Sequence, residues 1–237
     1  MLTIHSSIFD NPTFSYFREL HNKYGIVVSC YCYYYDDNTD FKLSDCTTKF
    51  QKEFQENSDW LKFGFHSKNG KSNYENTTSD VAKTDYNNVI KALYNITGDY
   101  GCIDRIVRLQ NFAGNIDSVK AMRDSEHGII GLLGPDDVRK SYYLSERESK
   151  TLYENDTLND TANNIRFFNT DLRMESVPNI EKKLYSIRNK EYENKSKILV
   201  IFTHEWQLGK KSIKYNLEKC CKFAIDQGYH FSFLKNG

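Results

Sequence analysis

Segments with helical periodicity alternate with short apolar runs along the whole chain. Residues 12–24 place apolar side chains at helical spacing before Gly25, a natural helix end. Residues 26–35, which follow, are almost continuously apolar and aromatic, as in a strand that is covered on both faces. This order predicts the α/β class, with a mostly parallel sheet and helical crossovers. Two architectures remain compatible with it, an open doubly wound sheet and a closed or partly closed barrel.

The same periodicities predict the remaining elements of a single domain. Further helices are expected over residues 47–59, 84–97, 115–123 and 178–190, and a last one from Ser212. Further strands are expected over residues 61–66, 102–112, 128–137, 198–202 and 229–234. Residues 141–172 have an irregular pattern, with antiparallel segments expected near 141–147 and 164–172. No repeat or linker divides residues 1–237.

Charge and motif content exclude several functional classes. The 32 basic residues balance the 32 acidic ones, so neither a nucleic-acid partner nor a polybasic membrane contact is expected. No stretch approaches the ~18 apolar residues of a spanning helix. The first residues lack a basic start followed by a long apolar run, so no signal peptide is visible and a cytoplasmic location is expected. Neither a GxGxxG fingerprint nor a P-loop is found, which argues against a nucleotide-binding sheet.

The six cysteines match no metal-binding or redox pattern. They form one C-x-C pair, one adjacent pair and two isolated residues: Cys30, Cys32, Cys220, Cys221, Cys46 and Cys102. These spacings differ from those of zinc ribbons and of CxxC redox motifs. Without a visible export signal, reduced thiols are expected rather than disulfides.

Polar residues follow or end several of the predicted strands. His66 ends the apolar run 61–66, and His204 follows the run 198–202. Arg108 lies within a third strand, and Asp10 just precedes the first helix. In parallel α/β folds, functional sites gather at the carboxyl ends of the strands. Each residue alone also fits a role without chemistry, such as a solvated loop histidine or an N-capping Asp10.

Short stretches occur here in the order of a known set of motifs. Phe9-Asp10-Asn11-Pro12 precedes a helix that ends in Lys23-Tyr24-Gly25, and a strand ends in His66-Ser67. Arg108 and then Thr203-His204-Glu205 follow. In these stretches the chain resembles the polysaccharide deacetylase superfamily. The resemblance extends over most of the chain and implies a distorted (β/α) barrel, with seven parallel strands and surrounding helices.

The resemblance also implies a chemistry for the strand ends. Such deacetylases bind a divalent metal, zinc or a similar ion, through one Asp and two His, and the metal activates a water. Asp10 would then be a metal ligand or the base, and His66 a metal ligand. His204 would be the general acid, and Arg108 would orient a carboxylate. The implied substrate is an acetylated sugar or polysaccharide.

The motifs also depart from the family pattern. Asp10 stands alone where the family has paired acids, and Gly70 occupies the place of the second metal-binding histidine. Catalytic zinc sites usually have three protein ligands. Either other acids complete the site, the site lacks this chemistry, or the paired acids lie upstream of Met1. The candidate acids are Asp36, Asp37, Asp171 and Glu205.

Three functions follow from these observations. The first is a metal-dependent carbohydrate deacetylase or hydrolase, with Phe65, Trp206 or Trp60 as aromatic walls of a sugar site. The second is a deacetylase-like barrel without metal catalysis that binds a glycan or sugar derivative. The third is a structural or interaction domain whose histidines only cap strands. The missing second histidine counts against the first function. The strand-end residues, together with Glu205 as a catalytic candidate, count against the third.

Overall fold

The computed structural model describes residues 5–194 and 198–235, which form seven α-helices and ten strands. The helices are α1 Pro12–Tyr24, α2 Gln51–Glu56, α3 Ser79–Thr97, α4 Ile116–Arg123, α5 Glu146–Asn155, α6 Ile180–Asn194 and α7 Lys211–Asp226. The strands are β1 Val28–Tyr33, β2 Tyr35–Asp36, β3 Phe41–Lys42, β4 Leu61–Ser67, β5 Ile106–Val107, β6 Gly131–Leu133, β7 Thr157–Asp160, β8 Ile165–Phe168, β9 Leu172–Arg173 and β10 Ile201–Phe202. The α/β class is confirmed.

Local sequence signals set both ends of α1. The side chain of Asn11 accepts a hydrogen bond from the backbone N–H of Thr13 at 2.9 Å and so caps the first turn. Pro12 occupies the first helical position, where no N–H donor is needed. The helix ends at Gly25, whose φ of +75° is a left-handed conformation that glycine adopts without steric cost.

Parallel pairing dominates the strands. β1 pairs with β4, β5 with β6, β6 with β8, and β9 with β10, all in parallel. β7 joins the edge of β8 in an antiparallel hairpin, and β2–β3 form a separate small hairpin. An isolated parallel bridge from Phe63 to Ile103 links β4 to the segment that leads into β5. Among the described residues the parallel strands therefore form three hydrogen-bonded sets, and a closed seven-stranded barrel stays a prediction.

Side chains from several strands meet in a common interior. Ile106, Leu133 and Phe168 are buried together, with Tyr31 and Val200 packed against them. These residues come from β1, β5, β6, β8 and the segment before β10, so side chains from different hydrogen-bonded sets of strands share one apolar cluster. The helices cover the outside. One face of α3 is buried against β4, as the periodicity predicts.

Three sequence predictions differ from the structure. Residues 141–172 contain α5, whose amino end is a capping box between Ser145 and Glu148. The predicted strand over residues 102–112 shrinks to β5, because residues 110–112 turn into a 3-10 helix in which Asn111 has a φ of +57°. Residues 229–234 form no strand ladder. Instead, Leu234 packs into the apolar interior.

Two further findings concern the chemical character of the chain. All six cysteines are free thiols, and three of them are buried. Within residues 5–194 and 198–235, no helix combines the length and the apolar character needed to cross a bilayer.

Candidate functional site

The carboxyl ends of five parallel strands carry polar side chains. Tyr33 is the last residue of β1, and His66 is the penultimate residue of β4. Arg108 comes directly after β5, Glu175 two residues after β9, and His204 two residues after β10. Because functional sites of parallel α/β folds gather at the carboxyl ends of the strands, these strand ends are the candidate site.

Arg108 holds His66 from two sides. Nδ1 of His66 is hydrogen-bonded to the backbone carbonyl oxygen of Arg108, and Nη2 of Arg108 lies 3.2 Å from Nε2 of His66. A carbonyl oxygen only accepts, and a guanidinium only donates. His66 is therefore the neutral tautomer that carries its proton on Nδ1 and accepts at Nε2. Both ring nitrogens are engaged by one residue.

Burial keeps the His66 imidazole neutral. The side chain is almost completely buried, and its pKa is lowered to about 3, with desolvation as the largest cause. The positive charge of Arg108 is the second cause of this low pKa, and His204 contributes in the same direction. His66 thus carries no charge near neutral pH. The electrostatic effect of His204 indicates that the two histidines lie within electrostatic range of each other.

Tyr33 and Gln110 line the site beside His66. The rings of Tyr33 and His66 are 4.8 Å apart, and the Tyr33 hydroxyl donates to Oε1 of Gln110 at 2.8 Å. Nε2 of Gln110 donates in turn to the backbone oxygen of Gly70 at 3.2 Å. Gly70 stands where the family has its second histidine, and its position joins this polar network through the backbone alone.

Aromatic rings surround the Arg108 guanidinium. Its central carbon lies 4.7 Å from the ring centroid of Phe202 and 5.2 Å from that of Phe112. Burial lowers the pKa of Arg108 from its ordinary value, although a guanidinium stays charged in any case. Phe202 also contacts His204, with ring centroids 5.9 Å apart. Arg108 and Phe202 therefore connect His66 to His204.

His204 is paired with a carboxylate that the sequence analysis missed. Nδ1 of His204 is hydrogen-bonded to Oε1 of Glu175, which also accepts from Nε of Arg173 at 3.2 Å. Oε2 of Glu175 accepts from the Thr203 hydroxyl at 3.1 Å. Burial would raise the pKa of Glu175, but the hydrogen bonds it accepts, including those from His204 and Arg173, lower it below its ordinary value. A histidine oriented by a carboxylate can donate or accept a proton at its other nitrogen.

The structure does not bring Asp10 to this site. Its Oδ2 accepts backbone hydrogen bonds from Ser6 and Ser7, which lower its pKa, and it caps a short 3-10 helix. The adjacent Phe9 stacks on Trp60, just before β4 begins. A strand rises about 3.3 Å per residue, so His66 lies about 20 Å further along β4. Asp10 is at the opposite end of that strand.

The other predicted acids have separate roles in the described structure. Asp36 caps a turn through Asn38 and Thr39. Asp171 accepts from the backbone N–H of Val200 at 2.9 Å and so links β9 to the segment before β10.

Two further predicted acids lie nearer the candidate site. Asp37 lies 3.6 Å from Nζ of Lys71 and accepts from Asn69. Glu205 is exposed beside His204, and its charge raises the pKa values of Tyr33 and Cys30, although burial is the main cause in both. Glu205 therefore acts electrostatically on Tyr33, a residue of the candidate site.

The three aromatic residues predicted as walls of a sugar site also lie in different parts of the structure. Trp206 is 59% exposed and stacks on His204 with ring centroids 4.4 Å apart. Trp60 and Phe65 are buried in the main core. Trp206 alone of the three presents a ring to solvent at the candidate site.

The side chains present do not fit a metal ion. The two predicted ligands, His66 and Asp10, lie at opposite ends of β4. Nε2 of His66, the nitrogen that would face a metal, already accepts from Arg108. Among residues 5–194 and 198–235, no three His, Cys, Asp or Glu side chains are grouped as a metal would require. A second cation beside the Arg108 guanidinium would also be repelled by it.

Solved structures identify the architecture. A family 4 acetyl xylan esterase from Clostridium thermocellum, in complex with a cobalt ion, aligns with a TM-score of 0.53 and 12% identity. The alignment covers 94% of this chain and 82% of that one. The chain has the fold of the CE4 carbohydrate esterases. The resemblance to polysaccharide deacetylases is thereby confirmed at the level of the fold.

Two further CE4 structures give the same result. One is the Xyl-CE4 domain of a multidomain xylanase from the hindgut metagenome of Trinervitermes trinervoides, with a TM-score of 0.53 and 11% identity over 92% of this chain and 80% of that one. The other is a mutant of a CE4 family pseudoenzyme with restored enzymatic activity, with a TM-score of 0.51 and 11% identity over 93% of this chain and 60% of that one. The CE4 fold is thus found in enzymes and in pseudoenzymes.

Comparison by sequence adds nothing to this assignment. No family profile matches the chain, and no curated protein matches it. At 11–12% identity the CE4 likeness shows the fold, so the activity has to be argued from the site itself.

Proposed function

We propose that this CE4-fold protein binds a carbohydrate at the carboxyl ends of its strands and does not carry out metal-dependent deacetylation. The observation that carries the proposal is the contact between Arg108 and His66. The guanidinium donates to Nε2 of His66, so the lone pair that a metal would need is already used. The Arg108 guanidinium is a positive charge of the protein itself, and it is held at this nitrogen of His66.

The carbohydrate part of the proposal is supported by the rim of the site. Trp206 offers an exposed ring face, supported from behind by His204. Aromatic faces beside a few polar groups are typical of sites for amphipathic ligands such as sugars. Tyr33, Gln110 and Arg173 supply such groups nearby. The identities of two structural neighbours, an acetyl xylan esterase and a domain of a xylanase, agree with a saccharide ligand.

One observation favours a second function, metal-independent acid–base hydrolysis. The His204–Glu175 pair has the arrangement of a general acid or base, with the carboxylate holding Nδ1 and leaving Nε2 to face a ligand. Such a hydrolase would release acetate from an acetylated sugar without added metal, and Glu175→Gln would slow the release.

Two measurements on one protein sample test the proposal. Acetate release from acetylated xylan and from chitin oligosaccharides is followed with chelator and with added Zn²⁺ or Co²⁺. Binding of the same oligosaccharides is followed by tryptophan fluorescence, because only Trp206 of the two tryptophans is exposed. Trp60→Phe serves as the matched control. We expect saccharide-dependent fluorescence changes and no metal-stimulated acetate release. Release that requires metal and is lost in His66→Ala would overturn the proposal.

A further inference from the structure

The positive charge of Arg108 has no ion-pair partner among the described residues. Among residues 5–194 and 198–235, no carboxylate oxygen lies within the 4.0 Å of an ion pair from its guanidinium. Its nearest polar partner is Nε2 of the neutral His66. A largely buried charge is unfavourable unless it is paired. The site therefore has a place for a negative group that comes from outside the chain.

The guanidinium retains hydrogen-bond donors for such a group. It has five N–H groups, and one of them donates to His66. Phe112 and Phe202 contact the guanidinium through their aromatic rings and accept none of its conventional N–H hydrogen bonds. None of its nitrogens is both completely buried and without a hydrogen-bond partner. The N–H groups that do not contact His66 are therefore accessible. Two adjacent N–H groups of this fork match the two oxygens of a carboxylate or phosphate.

The charges around Arg108 favour an anion over a cation. Arg173 is close enough for its charge to lower the pKa of Arg108, after the larger effect of burial. Glu175 is engaged by Arg173, Thr203 and His204, so its carboxylate is committed. Glu205 is an exposed acid whose charge acts on Tyr33, and among the described residues it forms no ion pair with Arg108. Arg108 therefore lies near a second guanidinium, that of Arg173, whose own carboxylate partner is Glu175.

We propose that Arg108 binds an oxyanion, either a carboxylate or a phosphate, carried by the saccharide ligand. The anionic group would be bound by the free N–H groups of the guanidinium, which Phe202 and His204 connect to the exposed ring of Trp206. His66 acts as a positioning residue that fixes the guanidinium from behind. The saccharide part of this inference rests on the proposed function, whereas the anion site rests on Arg108 alone.

The test compares three sugars that differ in one substituent. Methyl glucoside, the methyl glycoside of glucuronic acid and methyl glucoside 6-phosphate supply a neutral, a carboxylate and a phosphate form, and acetate and inorganic phosphate supply the anions alone. Binding is measured by ¹⁵N NMR titration and by Trp206 fluorescence. An anionic sugar is expected to bind about tenfold more tightly than methyl glucoside, and added salt should weaken that preference. Comparison of glucuronide with phosphate identifies which oxyanion is preferred.

Three variants test whether the preference comes from Arg108. Arg108→Gln should abolish it, whereas Arg139→Gln, a surface arginine paired with Asp137, should leave it unchanged. Arg108→Lys keeps the positive charge but lacks the paired N–H donors of the guanidinium. It should therefore retain only part of the preference for the anionic sugars. Thermal unfolding checks that each variant is folded. If a variant does not fold, the comparison of the three sugars on the unaltered protein still tests the anion site.

The outcomes separate this inference from the proposed function. If acetate or phosphate binds through Arg108 while no sugar binds, the anion site stands and the carbohydrate function fails. If all three sugars bind equally, or if the preference survives Arg108→Gln, the anion site is refuted and carbohydrate binding stands. If none of the five probes binds, both are refuted.

Discussion

The guanidinium of Arg108 lies 3.2 Å from Nε2 of His66, the ring nitrogen that would otherwise be available to a metal ion. The backbone of the same arginine accepts from the opposite ring nitrogen. His66 is therefore fixed as one neutral tautomer by one residue. A CE4 fold thus carries an internal cation at a strand-end histidine that, by family resemblance, would bind a metal.

Metal affinity should not depend on His66. Because Arg108 occupies Nε2, the unaltered protein is expected to bind Co²⁺ no more tightly than His66→Asn does. The visible absorption of protein-bound Co²⁺ and equilibrium dialysis both measure this. A stoichiometric Co²⁺ site that disappears in His66→Asn would contradict the arrangement. His230→Asn, at an exposed histidine, is the matched control.

Stability should fall in acid partly because of His66. Its folded pKa of about 3 lies below the ordinary value of 6.5, so between these values the unfolded chain binds a proton that the folded chain refuses. The destabilisation is absent above pH 6.5 and grows as the pH falls, to about 2 kcal/mol at pH 5. Urea unfolding at pH 7.5, 6 and 5 should show a shallower loss for His66→Asn. Equal slopes for the two proteins would disprove the buried neutral imidazole.

The carboxylate of Glu175 should stabilise the site near neutral pH. Glu175→Gln removes the charge that accepts from His204 and Arg173, and about 1–2 kcal/mol of unfolding free energy should be lost. Because the folded pKa of Glu175 is lowered, this contribution is present above its ordinary value of 4.5 and is lost as the pH falls through the folded value. Denaturant unfolding at pH 7 and pH 3 measures both effects.

The control for that variant is Glu181→Gln. Glu181 forms an exposed ion pair with Lys219, at 2.9 Å, and such pairs contribute about 0–1 kcal/mol. A cost at Glu181 as large as that at Glu175 would mean that the pairing with His204 is no stronger than an ordinary surface contact.

Trp206 should separate ligand binding from stability. Its exposed ring makes Trp206→Ala cost no more than about 0.5 kcal/mol of unfolding free energy. The same change should greatly reduce saccharide binding, measured by NMR titration because the fluorescent reporter is removed. Loss of stability without loss of binding would mean that the ring serves packing against His204 rather than ligand contact.

Much of the fold follows from local signals in the sequence. The cap at Asn11 and the stop at Gly25 define α1, and the apolar run before His66 defines β4. The helix α5 was missed because few of its residues are apolar, although Ser145 and Glu148 form a recognisable capping box. Residues 229–234 have a strand-like pattern, yet whether such a run pairs depends on neighbours that the sequence does not specify.

The site was predictable only in part, for a related reason. His66, Arg108 and His204 could be found because each follows or ends an apolar run. Glu175 also follows a strand, but β9 has only two residues, and its parallel pairing with β10 depends on distant chain. Asp10 resembled a family motif, whereas its position is set by the stacking of Phe9 on Trp60. Order along the chain does not say at which end of a strand a residue will lie.

The protonation state of the His66 ring tests the central claim most directly. Long-range ¹H–¹⁵N spectra distinguish a protonated from an unprotonated ring nitrogen and show a bound metal as a change at the ligating nitrogen. We predict that Nδ1 of His66 is protonated and Nε2 unprotonated from pH 8 down to about pH 4, with no change on addition of Zn²⁺. Titration of His66 near pH 6.5, or a shift of its Nε2 signal with stoichiometric Zn²⁺, would contradict the account.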